Sequence, residues 1–331
     1  MRLRGWKTVR QAARWLRSRS GERALVLGYH RIANPSSDPY SLCVAPERFD
    51  QQLDAIRRHA RPVSLGELRH ALANGEPLDD AVAVTFDDGY TDVLTDALPL
   101  LKSHRVPATV FVIAGLLGRE YWWETLARIL DPRRALPARL RLSIDAVAFD
   151  WDSPGDDQDA RGGHELLFGL HRRFLPLPDE RRRAALEALS AWAGVDSEAP
   201  ASSRSLSPGE VARLARGNLI EVGSHTSTHP ALSDLPRDRQ RSEIQRSKAD
   251  LEELVGRSVL SFSYPHGRSS AETAKIVRES GYECACTSRN DAVRQGSDPF
   301  DLPRFWVPDW DGARFSRWLG RWLGRSRWGG A

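Results

Sequence analysis

The chain has 331 residues, of which 40% are hydrophobic and 28% charged, so it can bury one large core or two modest ones. Its three cysteines, Cys43, Cys284 and Cys286, imply no disulfide framework and fit a reducing compartment. The spacing of Cys284 and Cys286 is typical of alternate positions on a strand rather than of a pair of zinc ligands. No segment reaches the roughly 20 apolar residues of a membrane span, and the basic start lacks the apolar core of a secretory signal, which favours a cytoplasmic protein.

Positive charge is concentrated at the two ends of the chain. Residues 1–20 carry seven lysines and arginines and no acid, and residues 312–331 carry five more and no acid. Removing these twelve from the net charge of +4 leaves −8 for residues 21–311. An acidic body argues against nucleic-acid binding.

Apolar runs alternate with helical patterns along most of the chain. Strands are expected at six places: 24–30, 81–86, 108–113, 219–222, 260–263 and 283–287. Helices are expected at 49–56, 92–103, 237–254 and 271–280. Such alternation is typical of a parallel sheet buried on both faces, so the predicted class is α/β.

Residues 119–205 interrupt this alternation. They hold Pro132 and Pro137, a Gly/Asp-rich stretch (153–163) and two helical patterns, near 164–174 and 180–192. We therefore expect a mostly helical insertion (119–205) within a domain formed by residues 21–118 and 206–311. A basic segment (1–20) and a basic, Trp-rich tail (312–331) flank them.

The tail has the pattern of an amphipathic helix. Trp318, Leu319, Trp322 and Leu323 share one face, with arginines between them. Such a helix can lie on an anionic membrane surface. The alternative is that the tryptophans pack on the body of the protein and the arginines are simply solvated.

Candidate chemistry is concentrated at the ends of the predicted strands. Asp87 and Asp88 follow the strand at 81–86, and His225 and His229 lie four residues apart after the strand at 219–222. One carboxylate and two imidazoles form a ligand set for a divalent metal with a position left open for water, and the second carboxylate is available as a base. In (β/α) barrels such groups gather at the C-terminal ends of strands, where His30 also falls.

These residues resemble the motifs of the polysaccharide deacetylases, the NodB homology domain of carbohydrate esterase family 4. Thr85–Gly89 is similar to the first motif, Ser224–His229 to the second, Phe262–Gly267 to the third and Asp301–Arg304 to the fourth. The resemblance covers residues 24–115 and 206–310, and the Trp-Trp-Glu segment that begins the insertion is typical of exopolysaccharide-biosynthesis members. It implies a distorted (β/α) barrel of the NodB type.

The resemblance also implies roles for individual residues. Asp88, His225 and His229 would hold the metal, with zinc as the expected ion, and Asp87 would be the general base. The backbone N–H of His266 would stabilise the tetrahedral oxyanion together with the metal.

Two departures from the family pattern concern catalysis. Many members have an arginine, which orients the base, where this chain has Ser263; Arg304 is the candidate replacement. Many also have a late histidine that protonates the leaving amine, whereas this chain has none after His266. His266 and His30 are the candidate acids, and a hydrogen-bonded structural role is the alternative for His30.

The expected reaction is removal of the acetyl group from an N-acetylated sugar in a glycan, glycolipid or precursor. Tyr264, Pro265 and Trp306 are the candidate substrate contacts, with Trp306 lining the groove. Two alternatives remain: a related metal amidohydrolase acting on a non-carbohydrate amide, and a catalytically weak carbohydrate-binding relative.

Overall fold

The computed structural model describes residues 23–144, 147–153, 159–195 and 203–324. It divides into two compact units. The first comprises the described residues within Met1–Asn34, Leu42–Leu117 and Leu206–Ala331; the second comprises those within Pro35–Ser41 and Gly118–Ser205. Within the described residues, no helix combines the length and the apolar character that crossing a membrane requires.

The strands of the described chain are numbered in chain order. They are β1 (Ala24–Tyr29), β2 (Arg31–Ile32), β3 (Cys43–Val44), β4 (Arg61–Pro62), β5 (Ala81–Phe86), β6 (Ala108–Val112), β7 (Arg139–Ile144), β8 (Val147–Asp152), β9 (Ile220–Ser224), β10 (Ser261–Ser263), β11 (Cys284–Cys286) and β12 (Phe305–Trp306).

The α-helices are numbered in the same way. They are α1 (Pro46–His59), α2 (Leu65–Asn74), α3 (Leu98–His104), α4 (Trp122–Ile129), α5 (Asp159–Phe174), α6 (Asp179–Ala193), α7 (Pro208–Ala215), α8 (Arg237–Val255), α9 (Ala271–Glu279) and α10 (Gly312–Trp322).

A parallel sheet forms the centre of the first unit. Its strand order is β11-β10-β9-β6-β5-β1-β12, and β4 also pairs with β5. All six residues of β1 and all six of β5 are buried, as expected for strands covered on both faces. The segment before β12 bridges back to β11 through Cys286 and Leu302, so the sheet nearly closes on itself. This arrangement confirms the predicted α/β class with a distorted barrel.

Most predicted elements of the first unit are confirmed within a few residues. The strand at 81–86 has the predicted bounds, and the predicted helix at 49–56 extends to Pro46–His59. The predicted helix at 92–103 differs, because its first turn, Val93–Ala97, is a π-helix. Strand β12 is absent from the prediction, since two residues are too few to show a periodic pattern. Cys284 and Cys286 are buried in β11, in agreement with the strand interpretation.

The second unit combines helices α4, α5 and α6 with an antiparallel hairpin, β7–β8. Its core includes Leu126, Leu170, Phe174 and Leu189, all of which are fully buried. The described part of this unit is therefore mostly helical, as expected, and the hairpin is an addition that the sequence did not predict. Strand β7 alternates exposed and buried residues, the period-2 pattern of a half-buried strand, but at six residues it is too short to stand out between the flanking prolines and the Gly/Asp-rich stretch.

Helix α10 packs its aromatic face on the rest of the first unit. Phe315 and Leu319 are fully buried. The rings of Trp318 and Trp322 lie 5.2 and 4.5 Å from that of Phe305. The tryptophans of this helix therefore pack on the body, as in the second interpretation of the tail. Residues 1–22 and 325–331, which include the other tryptophans of the two basic ends, lie outside the described residues.

Candidate metal centre and active site

The C-terminal ends of two strands bring the predicted metal ligands together. Asp87 and Asp88 directly follow β5, and His225 directly follows β9, with His229 in the loop beyond it. Strands β5 and β9 both pair with β6, so the two chain segments meet at one rim of the sheet. The parallel arrangement thus places residues more than 130 positions apart within contact distance.

The donor atoms of Asp88, His225 and His229 all lie within 4.8 Å of one another. Asp88 Oδ1 is 3.6 Å from His225 Nε2 and 3.5 Å from His229 Nε2. Both distances exceed an ordinary hydrogen bond. They match the separation of about 3.4 Å expected for two donors that each lie about 2.1 Å from one tetrahedral ion. The three residues therefore fit a divalent cation in both chemistry and spacing.

Hydrogen bonds fix the ring of His225 and the turn that carries His229. The Nδ1 atom of His225 lies 2.8 Å from the Ser263 carbonyl oxygen, to which it donates, so Nε2 faces the centre with its lone pair available. Burial lowers the pKa of His225, which favours the neutral imidazole that binds a cation. The backbone N–H of His229 donates to Thr226 Oγ1 at 3.0 Å, which fixes the turn that carries this ligand.

Backbone strain is concentrated around this centre. Among the described residues, seven non-glycine residues have positive φ, and four of them lie here. These are Asp88, Thr226, His229 and His266, with φ between 59° and 67°. Left-handed conformations are costly for such residues and persist where the surrounding structure holds them. The site thus shows the local strain that accompanies preorganised side chains.

A buried ion pair connects Asp87 to Arg304. Arg304 donates from Nη1 to Asp87 Oδ1 at 2.6 Å and from Nη2 to Asp87 Oδ2 at 2.8 Å, and its side chain is fully buried. Ser263 Oγ lies between the two, 2.9 Å from Arg304 Nη2 and 3.1 Å from Asp87 Oδ2. Arg304 also donates from Nε to the Thr287 carbonyl oxygen and from Nη1 to Thr85 Oγ1. This network fixes the orientation of the Asp87 carboxylate.

The charges around Asp87 decide its protonation state. Burial alone would raise the pKa of this carboxyl, but the adjacent Arg304 guanidinium holds it well below its usual range. Asp87 therefore remains ionised across the physiological pH range. Its Oδ2 atom lies 3.7 Å from His225 Nε2, so the carboxylate directly adjoins the candidate metal centre.

The two candidate acids, His30 and His266, contact different aromatic rings. The ring of His30 stacks on that of Trp306 with centroids 4.3 Å apart and planes 15° apart, and a charge on His30 lowers the pKa of Asp87. His266 is exposed, and its ring centroid lies 4.5 Å from that of His229. Both histidines therefore lie at the rim that carries the candidate metal ligands.

Two of the expected substrate contacts are buried. Tyr264 is fully buried, and its hydroxyl donates to the Phe300 carbonyl oxygen at 3.0 Å, so the assignment of its side chain to substrate binding is wrong. Pro265 is buried as well. The cause is the alternation of side chains at the end of β10: Ser263 points toward Asp87, whereas Tyr264 points into the apolar core.

Three hydroxyl or carbonyl partners of this network were not among the sequence predictions: Thr85, Ser263 and Thr287. Thr85 and Ser263 both lie within motifs that the sequence singles out, so their strand-end position was a usable signal. Thr287 contributes only its backbone carbonyl oxygen to Arg304. Because every residue has a backbone carbonyl group, the residue type at this position does not indicate such a contact.

Comparison with known proteins identifies the family. The family model described as polysaccharide deacetylase matches residues 74–133 and 182–285, segments that contain Asp87, Asp88 and both histidine ligands. The chain belongs to the polysaccharide deacetylase family. It is accordingly a hydrolase of the class that acts on carbon–nitrogen bonds other than peptide bonds.

Relatives of this deacetylase include proteins with named substrates. The chain is 21% identical over 308 residues to YxkH of Bacillus subtilis, provisionally named a polysaccharide deacetylase; the alignment covers 92% of this chain and 79% of that protein. It is 25% identical over 191 residues to the poly-β-1,6-N-acetyl-D-glucosamine N-deacetylase of Escherichia coli, which covers 50% of this chain. That alignment spans only 27% of the length of the Escherichia coli enzyme.

Solved structures share the fold. IcaB from Ammonifex degensii superposes with a TM-score of 0.59 at 23% identity, covering 90% of this chain and 97% of IcaB. The deacetylase PplD of Streptococcus pyogenes, solved with acetate, superposes with a TM-score of 0.57 at 20% identity, covering 87% and 93%. At these identities the superpositions establish the distorted deacetylase barrel.

Proposed function

We propose that this deacetylase removes the acetyl group from an N-acetylated hexosamine in a glycan, glycolipid or precursor, and that it requires a divalent metal. The observation that carries the proposal is the pairing of two carboxylates with separate environments. Asp88 faces two imidazole nitrogens, and Asp87 faces a buried guanidinium. The name of the Escherichia coli relative supports the choice of N-acetylglucosamine.

Zinc is the metal that this donor set favours. Two imidazole nitrogens and one carboxylate oxygen are common zinc ligands and leave a coordination position open for substrate or water. A divalent cation in this position would act as a Lewis acid, activating water and polarising the amide carbonyl.

Asp87 is the general base in this proposal. Because Arg304 keeps it ionised, Asp87 is available across the physiological pH range to accept a proton from the attacking water. The bidentate contact with Arg304 also holds the carboxylate at a fixed angle beside the cation ligands. The carboxylate itself remains bound to the guanidinium, so the accepted proton must pass on before the next cycle.

His30 is the better of the two candidate acids for the leaving amine. It adjoins Asp87 closely enough to affect its pKa, and its ring is held by stacking on Trp306. A protonated His30 would donate to the amide nitrogen as the carbon–nitrogen bond breaks, giving acetate and a free amine. The exposed His266 contributes its backbone N–H to the oxyanion in the same scheme.

An acetate-release assay on the full chain tests this function. The substrates are oligomers of β-1,4- and β-1,6-linked N-acetylglucosamine, assayed with and without a chelator, and zinc is added back after chelation. We expect release that the chelator abolishes and zinc restores. Binding of the oligomers without release would favour the carbohydrate-binding alternative. Hydrolysis of simple amides or imides, but not of the oligomers, would favour the amidohydrolase alternative.

We further propose that helix α10 brings the protein to an anionic membrane surface at its cytoplasmic face. Arg314, Arg317 and Arg321 are exposed, whereas Phe315 and Leu319 on the opposite face are buried in the body. With the apolar face occupied, attraction to lipid would be electrostatic, about 1 kcal/mol for each arginine near the surface. Three arginines then contribute about 3 kcal/mol, or roughly a hundredfold in binding.

Sedimentation with vesicles that contain phosphatidylglycerol tests this proposal. Replacing Arg314, Arg317 and Arg321 together with glutamine should reduce the bound fraction strongly at low salt. A matched control replaces three exposed arginines of α8: Arg237, Arg239 and Arg246. Equal binding by both variants would refute the proposal, as would retention on nucleic acid rather than on vesicles.

A further inference from the structure

Three adjacent strands place one row of residues at the base of the active site. Gly28 in β1 is in register with Thr85 of β5 on one side and with Trp306 of β12 on the other. Side chains alternate along a strand, so residues two positions away project to the same face. His30, Asp87 and Arg304 each lie two positions from a member of this row.

The middle position of the row has no side chain, and the indole of Trp306 occupies the space. A Cβ atom built on Gly28 would lie 2.8 Å from both Cε3 and Cζ3 of the indole. Carbon atoms make favourable contact at about 3.5–4.0 Å, so any larger residue at this position would push the ring away. Gly28 therefore determines where the indole lies.

The indole in turn contacts both halves of the proposed acid–base machinery. The His30 ring stacks on it at 4.3 Å with planes 15° apart. The guanidinium carbon of Arg304 lies 4.6 Å from its centroid, within the range of a cation–π contact, and that guanidinium holds Asp87. The ring that stacks on Trp306 is thus the His30 imidazole and not a sugar ring of a substrate.

We infer that Trp306 and Gly28 are positioning residues for the deacetylation reaction, acting through His30 and Arg304. This inference rests on the proposed function, and it assigns Trp306 a role different from stacking on a sugar ring. The indole links the residue that orients the base to the residue that would protonate the leaving amine. We expect a shift of the ring to change both and to leave metal binding by Asp88, His225 and His229 intact.

Steady-state kinetics separate positioning from substrate binding. In Gly28→Ala and Trp306→Leu we expect kcat to fall by about tenfold to a hundredfold, because small displacements of reacting groups have effects of this size. We expect KM to change by less than about twofold. Bound zinc should stay at the wild-type level in both. Trp306→Phe should retain more activity than Trp306→Leu, because it keeps an aromatic face for His30.

A double variant tests the contact between the two residues. The smaller ring in Gly28→Ala/Trp306→Phe removes the atoms that the added methyl group meets, so this variant should be more active than Gly28→Ala alone. Gly209→Ala is the matched control, since a Cβ there meets nothing within 4 Å, and it should behave as wild type. A raised KM with unchanged kcat in the Trp306 variants would overturn the inference in favour of a sugar platform.

Chemical labelling of His30 gives a readout that does not require turnover. The rate of His30 modification by diethyl pyrocarbonate is followed by peptide mass spectrometry in the full chain. Trp306→Leu should accelerate it severalfold, because the stacked ring is removed, and Trp306→Phe should do so less. An unchanged rate in both variants would overturn the inference whether or not the protein releases acetate. Absence of acetate release by the wild type would refute the proposed function, whereas the labelling rates report on the contact between His30 and Trp306 independently.

Discussion

Replacement of Arg304 by methionine isolates the contribution of its charge. Arg304 is fully buried and forms two short hydrogen bonds with the Asp87 carboxylate. Methionine is of similar length and apolar, so it leaves Asp87 ionised in the interior with its main counterion removed. Breaking one partner of a buried ion pair typically costs 3–5 kcal/mol, and we expect a loss of stability of about that size at pH 8.

The pH dependence of this loss gives a sharper test than its size. In the wild type the pKa of Asp87 is lowered, so its contribution to stability is present above the unfolded pKa of about 3.9 and is lost only in strong acid. Without Arg304, burial becomes the main influence and raises the pKa of Asp87. The variant can then protonate this carboxyl as the pH falls. The loss of stability of Arg304→Met relative to the wild type should therefore be smaller at pH 5 than at pH 8, by at most about 1.4 kcal/mol per pH unit.

Urea unfolding at pH 5 and pH 8, on protein treated with a chelator, measures both quantities. The double variant Arg304→Met/Asp87→Asn should recover most of the lost stability at pH 8, because neither charge remains. Arg246→Met is the control: its pair with Asp250 is exposed, and the change should stay below about 1 kcal/mol. An equal deficit at both pH values, or no recovery in the double variant, would refute the assignment of charge stabilisation to this pair.

Three further substitutions test the site and its surroundings. Elemental analysis should show that Asp88→Asn has lost its bound zinc. Asp87→Asn should keep zinc but release acetate more than about a hundredfold more slowly, and retained activity in this variant would exclude Asp87 as the base. Asp92 is buried beside Arg31, and burial, partly offset by Arg31, raises its pKa to about 6. The protonated Asp92 carboxyl therefore stabilises the folded state below pH 4, and this stabilisation is lost as the pH rises through 6. In urea titrations over that range, the free energy of unfolding of the wild type relative to Asp92→Asn should fall by at most about 3 kcal/mol.

The sequence predicted best those elements whose burial is complete. The strand at 81–86 is apolar over its first four residues and buried on both faces, so its bounds could be placed without knowledge of its neighbours. Strand β12 has only two residues and exists because β1 pairs with it. The hairpin at 139–152 has the correct alternation but lies between proline-rich and Gly/Asp-rich stretches. In both cases pairing, rather than local pattern, determines the structure.

Within the site, the sequence placed the metal ligands but not the environment of each side chain. Asp88, His225 and His229 follow strand ends, and parallel strands bring such positions together at one rim. Tyr264 lies next to Ser263 in the same motif, yet one side chain enters the core and the other reaches Asp87. Gly28 carries no chemical group, so nothing in its residue type indicated the ring packed against it.

The contact between Arg304 and Asp87 connects positions 217 residues apart and shows what the site requires. The family resemblance leads to an arginine at position 263, where this chain has a serine. The structure supplies the guanidinium from beside β12 instead, and Ser263 fills the remaining space with a hydroxyl that contacts both members of the ion pair. In a nearly closed sheet, several strand ends face the same interior volume, so a cation can approach the carboxylate from more than one strand. The physical constraint is therefore a buried positive charge at hydrogen-bond distance from Asp87, and the position in the chain that supplies it is free to vary.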